Sequence, residues 1–287
     1  MSRSGPIPFW KMSGSGNDFV VIDNRARVLP PDRAAAFTRA VSRHRVSVGA
    51  DGVVLIEECA DPGTHFTWRY INADGSDGEM CGNGAMCGAR FAALNGIAPA
   101  ACVFRTESGL VRAWVDQDPA SPAVRIAVAE PTRVTTGIEL FVAEHALTLS
   151  AITVGVPHAV AVVPDVDAFA PGNDLDSIGR SVRHHDAFAP AGTNLNVIAV
   201  IDRHTLRMRT YERGVEAETL ACGTGAIASA IVATELDLAE PPVSVVTSSG
   251  RPLRVEFTWQ CGCARDVTLS GEARVIVRGE IDGEALT

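Results

Sequence analysis

The stretch that decides the fold occurs twice in the chain. Tyr70-Ile-Asn-Ala-Asp-Gly-Ser-Asp-Gly-Glu-Met-Cys81-Gly-Asn-Gly-Ala can be laid without a gap on Tyr211-Glu-Arg-Gly-Val-Glu-Ala-Glu-Thr-Leu-Ala-Cys222-Gly-Thr-Gly-Ala. The tyrosine, the cysteine, both glycines and the alanine coincide, and the shift that carries Cys81 onto Cys222 is called the repeat offset below. The same offset carries the Thr-Glu-Ser-Gly at 106–109 onto the Thr-Ser-Ser-Gly at 247–250. Agreement in separate stretches predicts two similar halves, each of ordinary domain size.

Both halves also show the same order of predicted elements. Strand-like runs precede each cysteine, at 19–23, 53–57 and 65–71 in the first half and at 159–163, 196–201 and 206–211 in the second. Apolar, Ala-rich segments without proline follow at 85–94 and 226–236 and predict helices. More strands are expected around 103–115 and 243–257. The fold class is therefore predicted as α/β, with two pseudo-symmetric domains, each a strand-rich layer around a central helix that begins at the cysteine.

The composition is that of a globular protein without a polyanionic partner. The 287 residues are 46% hydrophobic, and the formal net charge of −9 argues against nucleic acid or an anionic membrane as partner. The chain shows neither a signal-like apolar region nor a membrane-spanning run, so a cytoplasmic location is expected. Seven cysteines are an odd set in a chain too large to need a disulfide framework. Lys11 is the only lysine, which disfavours a pyridoxal-phosphate enzyme.

Cys81 and Cys222 are the residues that carry the chemistry. A thiol at a helix N-terminus lies beside unpaired N–H groups and the positive end of the helix dipole, which favour the thiolate. The flanking glycines allow a carboxylate to approach the backbone closely. A single such cysteine is as often a buried packing residue. Two in matched positions instead predict a base on one face and an acid on the other face of one α-carbon, which is the requirement for inverting it.

A series of motifs closely resembles the diaminopimelate epimerase family. These motifs keep the family's order and spacing across nearly the whole chain, and they are Lys11-Met-Ser-Gly-Ser-Gly-Asn-Asp-Phe-Val20, Gly49-Ala-Asp-Gly52, Asn72-Ala-Asp-Gly75, Met80-Cys-Gly-Asn-Gly84, Pro157-His158, Thr193-Asn194, Tyr211-Glu-Arg-Gly214 and Ala221-Cys-Gly-Thr-Gly225. The resemblance implies two pseudo-symmetric α/β domains with the active site in the interdomain cleft. It also implies a last strand that returns to the first domain. Residues 1–128 with 270–287 are therefore expected to form the N-terminal half, and residues 129–269 the C-terminal half.

The resemblance also implies an activity and the residues that perform it. The activity is the interconversion of LL- and meso-diaminopimelate, a step of lysine biosynthesis, without pyridoxal phosphate, another cofactor or a metal. Cys81 and Cys222 match the acid/base pair, and His158 and Glu212 match the groups that assist the thiols. The other matched positions bind the substrate. Backbone donors to the reacting carboxylate are Gly82, Asn83, Gly223 and Thr224, and the side chains that hold the rest of the substrate are Asn17, Asn72, Asn194 and Arg213.

Two departures from the family leave the substrate open. Val156 stands where the family often has Asn, and Gly52 stands where some members have Gln, so each position lacks a possible hydrogen bond to the substrate. The alternatives are a relative acting on histidine, proline or hydroxyproline, and a non-catalytic amino-acid-binding protein. The expected partner is a small amino acid, and a homodimer is compatible with the sequence. Cys261 and Cys263 lack the second close Cys/His pair that a zinc site needs.

Overall fold

A computed structural model describes residues 5–78, 80–170 and 174–287 of the chain. Contacts within the chain divide it into two compact units. The first comprises Met1–Ile126 and Ser270–Thr287, and the second comprises Ala127–Leu269.

The first unit is rich in strands and contains two helices. In chain order its elements are β1 (Ile7–Gly14), β2 (Asn17–Asp23), α1 (Pro31–Val41), β3 (Gly52–Glu57), β4 (Phe66–Asn72), β5 (Asp77–Gly78), α2 (Gly82–Leu94), β6 (Ala101–Thr106), β7 (Gly109–Val115) and β8 (Ala123–Ala127), which ends at the boundary.

The second unit repeats this order. Its elements are β9 (Thr135–Val142), β10 (His145–Val154), β11 (Val156–Val162), α3 (Val166–Phe169), α4 (Asp174–Arg183), β12 (Asn194–Asp202), β13 (Thr205–Glu212), β14 (Ala217–Thr219), α5 (Gly223–Glu235), β15 (Val243–Val246), β16 (Pro252–Gln260) and β17 (Cys263–Ile281), with short 3₁₀ turns at Asp186–Phe188 and Gly283–Leu286.

The long last strand belongs to both units. From Ser270 onward β17 lies in the first unit, where it pairs antiparallel with β1, so that Ile281 lies opposite Ile7 and Ala273 opposite Gly14. Arg90 of α2 donates a hydrogen bond of 2.8 Å to the Ala273 carbonyl and fixes this part of the strand to the central helix. The C-terminal segment is therefore part of the sheet of the first unit.

The strand pairings of the two units follow one topology. In the first unit β2 and β3 are parallel, β3 and β4 antiparallel, β4 and β6 parallel, and β6 and β7 antiparallel. In the second unit β11 and β12, β12 and β13, β13 and β15, and β15 and β16 alternate in the same way. The repeat offset carries the pairing of Val54 with Tyr70 onto the pairing of Leu195 with Tyr211. The internal repeat is thus a repeat of sheet register.

The central helices α2 and α5 coincide at the repeat offset. Both are buried over most of their length, as expected for helices that are apolar all round. Helix α2 packs against β1, β2, β3, β4 and β7, and α5 packs against β10 to β13, β15 and β16. The predicted fold class, a strand-rich layer around a central helix in each half, is confirmed. Among the described residues, no helix combines the length and apolar character needed to cross a membrane.

The expectation of one helix per half was incomplete, because α1 and α4 were not predicted. Each buries one narrow face, through Ala34, Phe37 and Val41 in α1, and through Leu175, Ile178 and Val182 in α4. The repeat offset carries the first three residues onto the second three in order, so these helices correspond as well. Polar residues interrupt the sequence of both helices, at Asp32, Arg33 and Arg39 in α1 and at several positions of α4, so neither forms the long apolar run that marks α2 and α5 in the sequence.

Candidate active site

The two matched cysteines occupy the same position at the N-termini of the central helices. Cys81 is the N-cap of α2 and Cys222 is the N-cap of α5, both in extended backbone conformation. The Cys81 Sγ accepts a hydrogen bond of 3.4 Å from the Gly84 N–H, and the Cys222 Sγ accepts one of 3.4 Å from the Gly225 N–H. Each thiol therefore already lies against the positive end of a helix, as the sequence predicted.

The other cysteines differ from this pair. All seven lie in described parts of the chain, and none forms a disulfide. Burial raises the pKa of Cys87 far above its ordinary value and raises the pKa of Cys102 to about 11. These two thiols stay protonated at neutral pH, because a buried thiolate would lose its hydration. Cys87 and Cys102 therefore act as packing residues.

A polar chain links the helix N-terminus of the first unit to its sheet. The Asn83 Nδ2 donates to the Asn17 Oδ1 at 2.7 Å, and the Asn17 Nδ2 donates to the Asp51 Oδ2 at 3.1 Å. The same carboxylate oxygen accepts the Asp18 N–H at 3.1 Å. Asp51 was not among the predicted site residues, although its motif, the Gly-Ala-Asp-Gly at 49–52, was recognised. The structure thus brings Asn17 and Asn83 together and adds Asp51 to them.

Asn72 lies close to these hydrogen-bonded side chains, but its own side chain is bound within the turn that follows β4. Its side-chain Nδ2 donates to the Ser76 Oγ at 3.0 Å, and its N–H donates to the Ser76 carbonyl at 2.9 Å. The next N–H, of Ala73, donates to the Asp51 carbonyl at 3.1 Å. Asn72 therefore forms the turn that its residue type favours, at the end of β4 beside the Asp51 loop.

Gly52 is a glycine because no side chain fits at its position. It lies opposite Asn72 in the sheet. A Cβ built on Gly52 would lie 2.5 Å from the Ile71 carbonyl oxygen and 2.5 Å from the ring of Tyr70. The aromatic ring takes the space that a glutamine would need, so this departure from some family members is a packing difference within the first unit.

In the second unit, His158 lies between two asparagines. It is 1% exposed and stands on β11 directly opposite Asn194 of the parallel strand β12. The His158 Nδ1 is 3.1 Å from the Asn196 Nδ2, and its Nε2 is 3.5 Å from the Asn194 Nδ2. Asn196 was not predicted as a site residue, because in the sequence it is one polar position within an apolar strand.

The imidazole of His158 is neutral at physiological pH. Burial and, to a smaller extent, the positive charge of Arg213 together lower its pKa to about 3. A neutral ring offers one N–H donor and one acceptor nitrogen. At neutral pH, His158 can therefore donate a hydrogen bond, but it is a very weak proton acceptor.

Glu212 ends β13 and Arg213 follows it, and both are held by hydrogen bonds rather than standing as a solvated pair. Glu212 accepts the hydroxyl hydrogen of Thr219. The Arg213 N–H donates to the Asn194 Oδ1 at 2.7 Å, and its Nη1 donates to the Ala191 carbonyl at 3.1 Å. Thus Asn194 and Arg213 are joined by a hydrogen bond, and His158 lies beside them at the edge of the sheet where β12 begins and β13 ends.

The first residues of each central helix supply backbone donors. The first four N–H groups of a helix have no partner within it, which makes the site suitable for an anion. At α2 these positions include Gly82 and Asn83, and at α5 they include Gly223 and Thr224, the residues that the family resemblance matches to donors for the substrate carboxylate. The Thr224 hydroxyl also lies 3.5 Å from the Cys222 Sγ. In the part of the chain described, His, Cys, Asp and Glu do not gather in groups of three or more that could hold a metal ion.

Solved structures share this architecture at low sequence identity. A phenazine biosynthesis protein of the PhzF family from Bacillus anthracis superposes with a TM-score of 0.73 at 12% identity, over 96% of this chain and 99% of that one. A probable proline racemase from Agrobacterium radiobacter K84 superposes with a TM-score of 0.71 at 16% identity, over 98% and 95%. These similarities concern the fold alone.

Sequence comparison is more specific. The sequence pattern of the family described as Diaminopimelate epimerase matches residues 9–134 and 150–261. The diaminopimelate epimerase of Aquifex aeolicus (strain VF5) is 38% identical over 287 residues, covering 98% of this chain and 99% of the relative. That of Hydrogenobaculum sp. (strain Y04AAS1) is 40% identical over 252 residues, covering 85% and 89%. The chain belongs to the diaminopimelate epimerase family.

Proposed function

We propose that this protein interconverts LL- and meso-diaminopimelate by a two-cysteine mechanism, in which one of Cys81 and Cys222 removes the α-proton and the other delivers a different proton to the opposite face of the α-carbon. The observation that carries the proposal is the pair of matched cysteines, each capping a central helix in the same geometry. Similarity to diaminopimelate epimerases over nearly the whole chain supports the substrate. The step is an isomerisation, so it consumes no oxidant, reductant or co-substrate.

Each thiol acts as base in one direction and as acid in the other. One cysteine starts as thiolate and removes the α-proton, while the other starts as thiol and donates a proton to the opposite face. The N–H groups at the two helix starts would bind the α-carboxylate and stabilise the negative charge that develops on it as the carbanion forms. The assigned donors are those of Gly82, Asn83, Gly223 and Thr224.

Two neighbouring groups would assist the thiols. His158 is neutral, so its part is to donate a hydrogen bond, which would stabilise a thiolate or a carboxylate in the site. Glu212 lies at the end of β13 in the same unit as Cys222 and would influence the protonation of that thiol. Asn17, Asn72, Asn194 and Arg213 are the residues proposed to hold the rest of the substrate.

The mechanism predicts a labelling pattern. If LL-diaminopimelate is incubated in D₂O, early meso product should carry deuterium at the inverted carbon while the recovered LL substrate remains protiated, because the two faces are served by different thiols. Mass spectrometry of the separated isomers measures this. Equal labelling of substrate and product at early times would contradict the two-thiol mechanism, and the absence of any exchange would favour a non-catalytic binding protein.

Replacing either cysteine tests its role. Cys81→Ser and Cys222→Ser should each lower kcat by at least about 100-fold, since acid–base groups typically contribute 10²–10⁴ in rate and a hydroxyl is a very weak base. Cys59→Ser makes the same chemical change at a half-buried cysteine away from the helix starts and should retain activity. Unchanged thermal unfolding of all three variants would show that the fold is intact. Near-normal turnover by either of the first two would rule out the mechanism.

A substrate panel tests the assignment of diaminopimelate. Proline, hydroxyproline and histidine are the alternatives, and faster turnover of any of them would overturn the substrate assignment while leaving the two-cysteine mechanism in place.

We also propose a cytoplasmic location, because a reducing compartment would keep the two thiols available. A small amino acid remains the expected partner, with neither nucleic acid nor membrane involved. The homodimer stays a prediction that sedimentation velocity can test.

A further inference from the structure

Asn196 is a fully buried asparagine whose side chain is completely engaged. It is the third residue of β12 and is 0% exposed. Its Nδ2 donates to the Ala159 carbonyl at 3.3 Å, and its Oδ1 accepts the Thr210 hydroxyl at 3.0 Å. A carbonyl oxygen can only accept, so the nitrogen of the Asn196 amide must face β11. The orientation of this amide is therefore fixed by the network.

That orientation determines which nitrogen of His158 carries the proton. The Asn196 Nδ2 also faces the His158 Nδ1 at 3.1 Å, so that ring nitrogen must accept. Asn194 is oriented as well, because its Oδ1 accepts the Arg213 N–H, and its Nδ2 therefore faces the His158 Nε2 at a longer 3.5 Å. A neutral imidazole cannot accept at both nitrogens and still keep its proton. The shorter contact decides, and the proton lies on Nε2.

The Asn196 side chain also packs next to Gly225, close to the thiol of Cys222 in the second unit. A Cβ built on Gly225 would lie 2.3 Å from the Asn196 Oδ1 and 3.2 Å from the Cys222 Sγ. The Gly225 N–H is the group that donates to that sulfur. Asn196 therefore contacts the first turn of α5 directly beside the hydrogen bond that holds the thiol.

We infer that Asn196 is a positioning residue, which fixes His158 as the Nε2–H tautomer and supports the first turn of α5 behind Cys222. The inference rests on the proposed function, because it assigns a role in the reaction of that thiol. It also goes beyond it, since Asn196 was assigned neither catalysis nor substrate binding. With Nδ1 engaged inside the protein, Nε2–H is the hydrogen that His158 can offer to a thiolate or carboxylate.

A purely structural role for Asn196 would be to satisfy the Ala159 carbonyl and the Thr210 hydroxyl. Loss of that role would lower stability without changing the state of His158. The two interpretations therefore differ in a property that can be measured without substrate, namely the tautomer and the titration of one histidine.

The test is nitrogen NMR of histidine-labelled, ligand-free protein, with the His158 signals assigned by their loss in His158→Gln. In the wild type, Nε2 should be protonated, Nδ1 unprotonated, and neither should titrate between pH 5 and 8 (roughly the range in which an ordinary histidine changes charge). Asn196→Asp replaces the donor by an acceptor, so the proton should move to Nδ1 and the imidazole should begin to titrate in that range. The kcat for diaminopimelate should fall at least about tenfold with KM changed by less than about threefold.

Asn24→Asp is the matched control, because Asn24 is also a buried asparagine with a fully engaged amide and lies in the other unit. It should leave the His158 signals unchanged. If Asn196→Asp does not fold, Asn196→Ser can take its place, because it also removes the donor to the His158 Nδ1. The imidazole of His158 should then exchange between its two neutral tautomers. An unaltered His158 in a folded Asn196 variant, or a wild-type proton on Nδ1, would overturn the inference. A wild type with the expected tautomer but without turnover would instead overturn the proposed function.

Discussion

His158 is a buried base that the folded protein keeps neutral, and this has a consequence for stability. Its pKa is lowered to about 3 by burial and by Arg213, whereas an unfolded histidine has a pKa of about 6.5. Below pH 6.5 the unfolded chain therefore binds a proton that the folded protein does not bind. Stability should fall as the pH drops from 6.5 towards 3, by about 1.4 kcal/mol per pH unit from this residue alone.

Denaturant unfolding of the wild type and of His158→Gln at several values between pH 4 and 6.5 measures this effect. The variant should lose the slope that one proton contributes, whatever its absolute stability. His184→Gln, at an exposed histidine, is the control and should retain the full slope. Parallel pH dependence of the wild type and His158→Gln would mean that His158 titrates normally in the fold.

For single residues, the sequence identified candidates for the site but not the side chains that hydrogen-bond to them. The thiols, His158 and Arg213 were found from motifs that the chain repeats or shares with its family. Asp51 and Asn196 were not, because a hydrogen bond between residues 34 or 38 positions apart leaves no pattern in one sequence. Their involvement follows only from strand register, which places the Asp51 loop beside Asn17 and sets β11 beside β12.

The two central helices begin with matched glycines that meet different neighbours. A Cβ on Gly84 would lie 3.3 Å from the Trp68 ring and 3.4 Å from the Phe19 ring, which is tight but close to ordinary contact. A Cβ on Gly225 would lie 2.3 Å from the Asn196 Oδ1, which is a collision with a fixed, buried amide. The same substitution should therefore have different effects at the two helix starts.

Gly84→Ala should change the free energy of unfolding by less than about 1 kcal/mol, because a gain in helix propensity offsets a small packing strain. Gly225→Ala should cost about 2 to 3 kcal/mol, since Asn196 must leave its position and lose its hydrogen bonds. Urea unfolding at neutral pH compares the two. Equal losses in both variants would mean that the amide of Asn196 can move freely.

Among the elements, prediction succeeded where the pattern was strong. The repeat offset located both central helices, and each strand-like run that was predicted lies in a strand, whereas β1, β8, β9 and β10 were not predicted. Helices α1 and α4 were missed because only a narrow face of each is buried, and in α4 that face includes Gly179. A Cβ on Gly179 would lie 2.3 Å from the Tyr211 ring, so a residue that disfavours helices is required there by packing.

At the scale of the whole molecule, the repeat explains why one family motif appears twice. The two units share element order, alternating parallel and antiparallel pairs and the position of the capping cysteine, yet their other site residues differ. Of the residues proposed for the site, Asn17, Asn72 and Asn83 lie in the first unit, whereas His158, Asn194, Glu212 and Arg213 lie in the second.

Arg213 is the residue through which recognition of the substrate can be tested. The proposed substrate has a second amino-acid end, and a guanidinium can bind its carboxylate in bidentate fashion. Arg213→Ala should lower kcat/KM for diaminopimelate by roughly one to two orders of magnitude, as expected for a lost charge-assisted hydrogen bond of about 1.5–3 kcal/mol. Arg213→Lys should have a kcat/KM between those of the wild type and Arg213→Ala, because an ammonium keeps the charge but not the planar fork.

The control for this prediction is Arg112→Ala, at an exposed arginine on β7, which should have no effect. Thermal unfolding is needed beside the kinetics, because the Arg213 side chain also donates to the Ala191 carbonyl and its loss could loosen that loop. A folded Arg213→Ala with unchanged kcat/KM would show that another group binds the distal carboxylate. Lysine is diaminopimelate without its distal carboxylate. If the wild type and Arg213→Ala turn over lysine equally but differ in their turnover of diaminopimelate, the variant has lost recognition of the distal end and not the ability to move the proton.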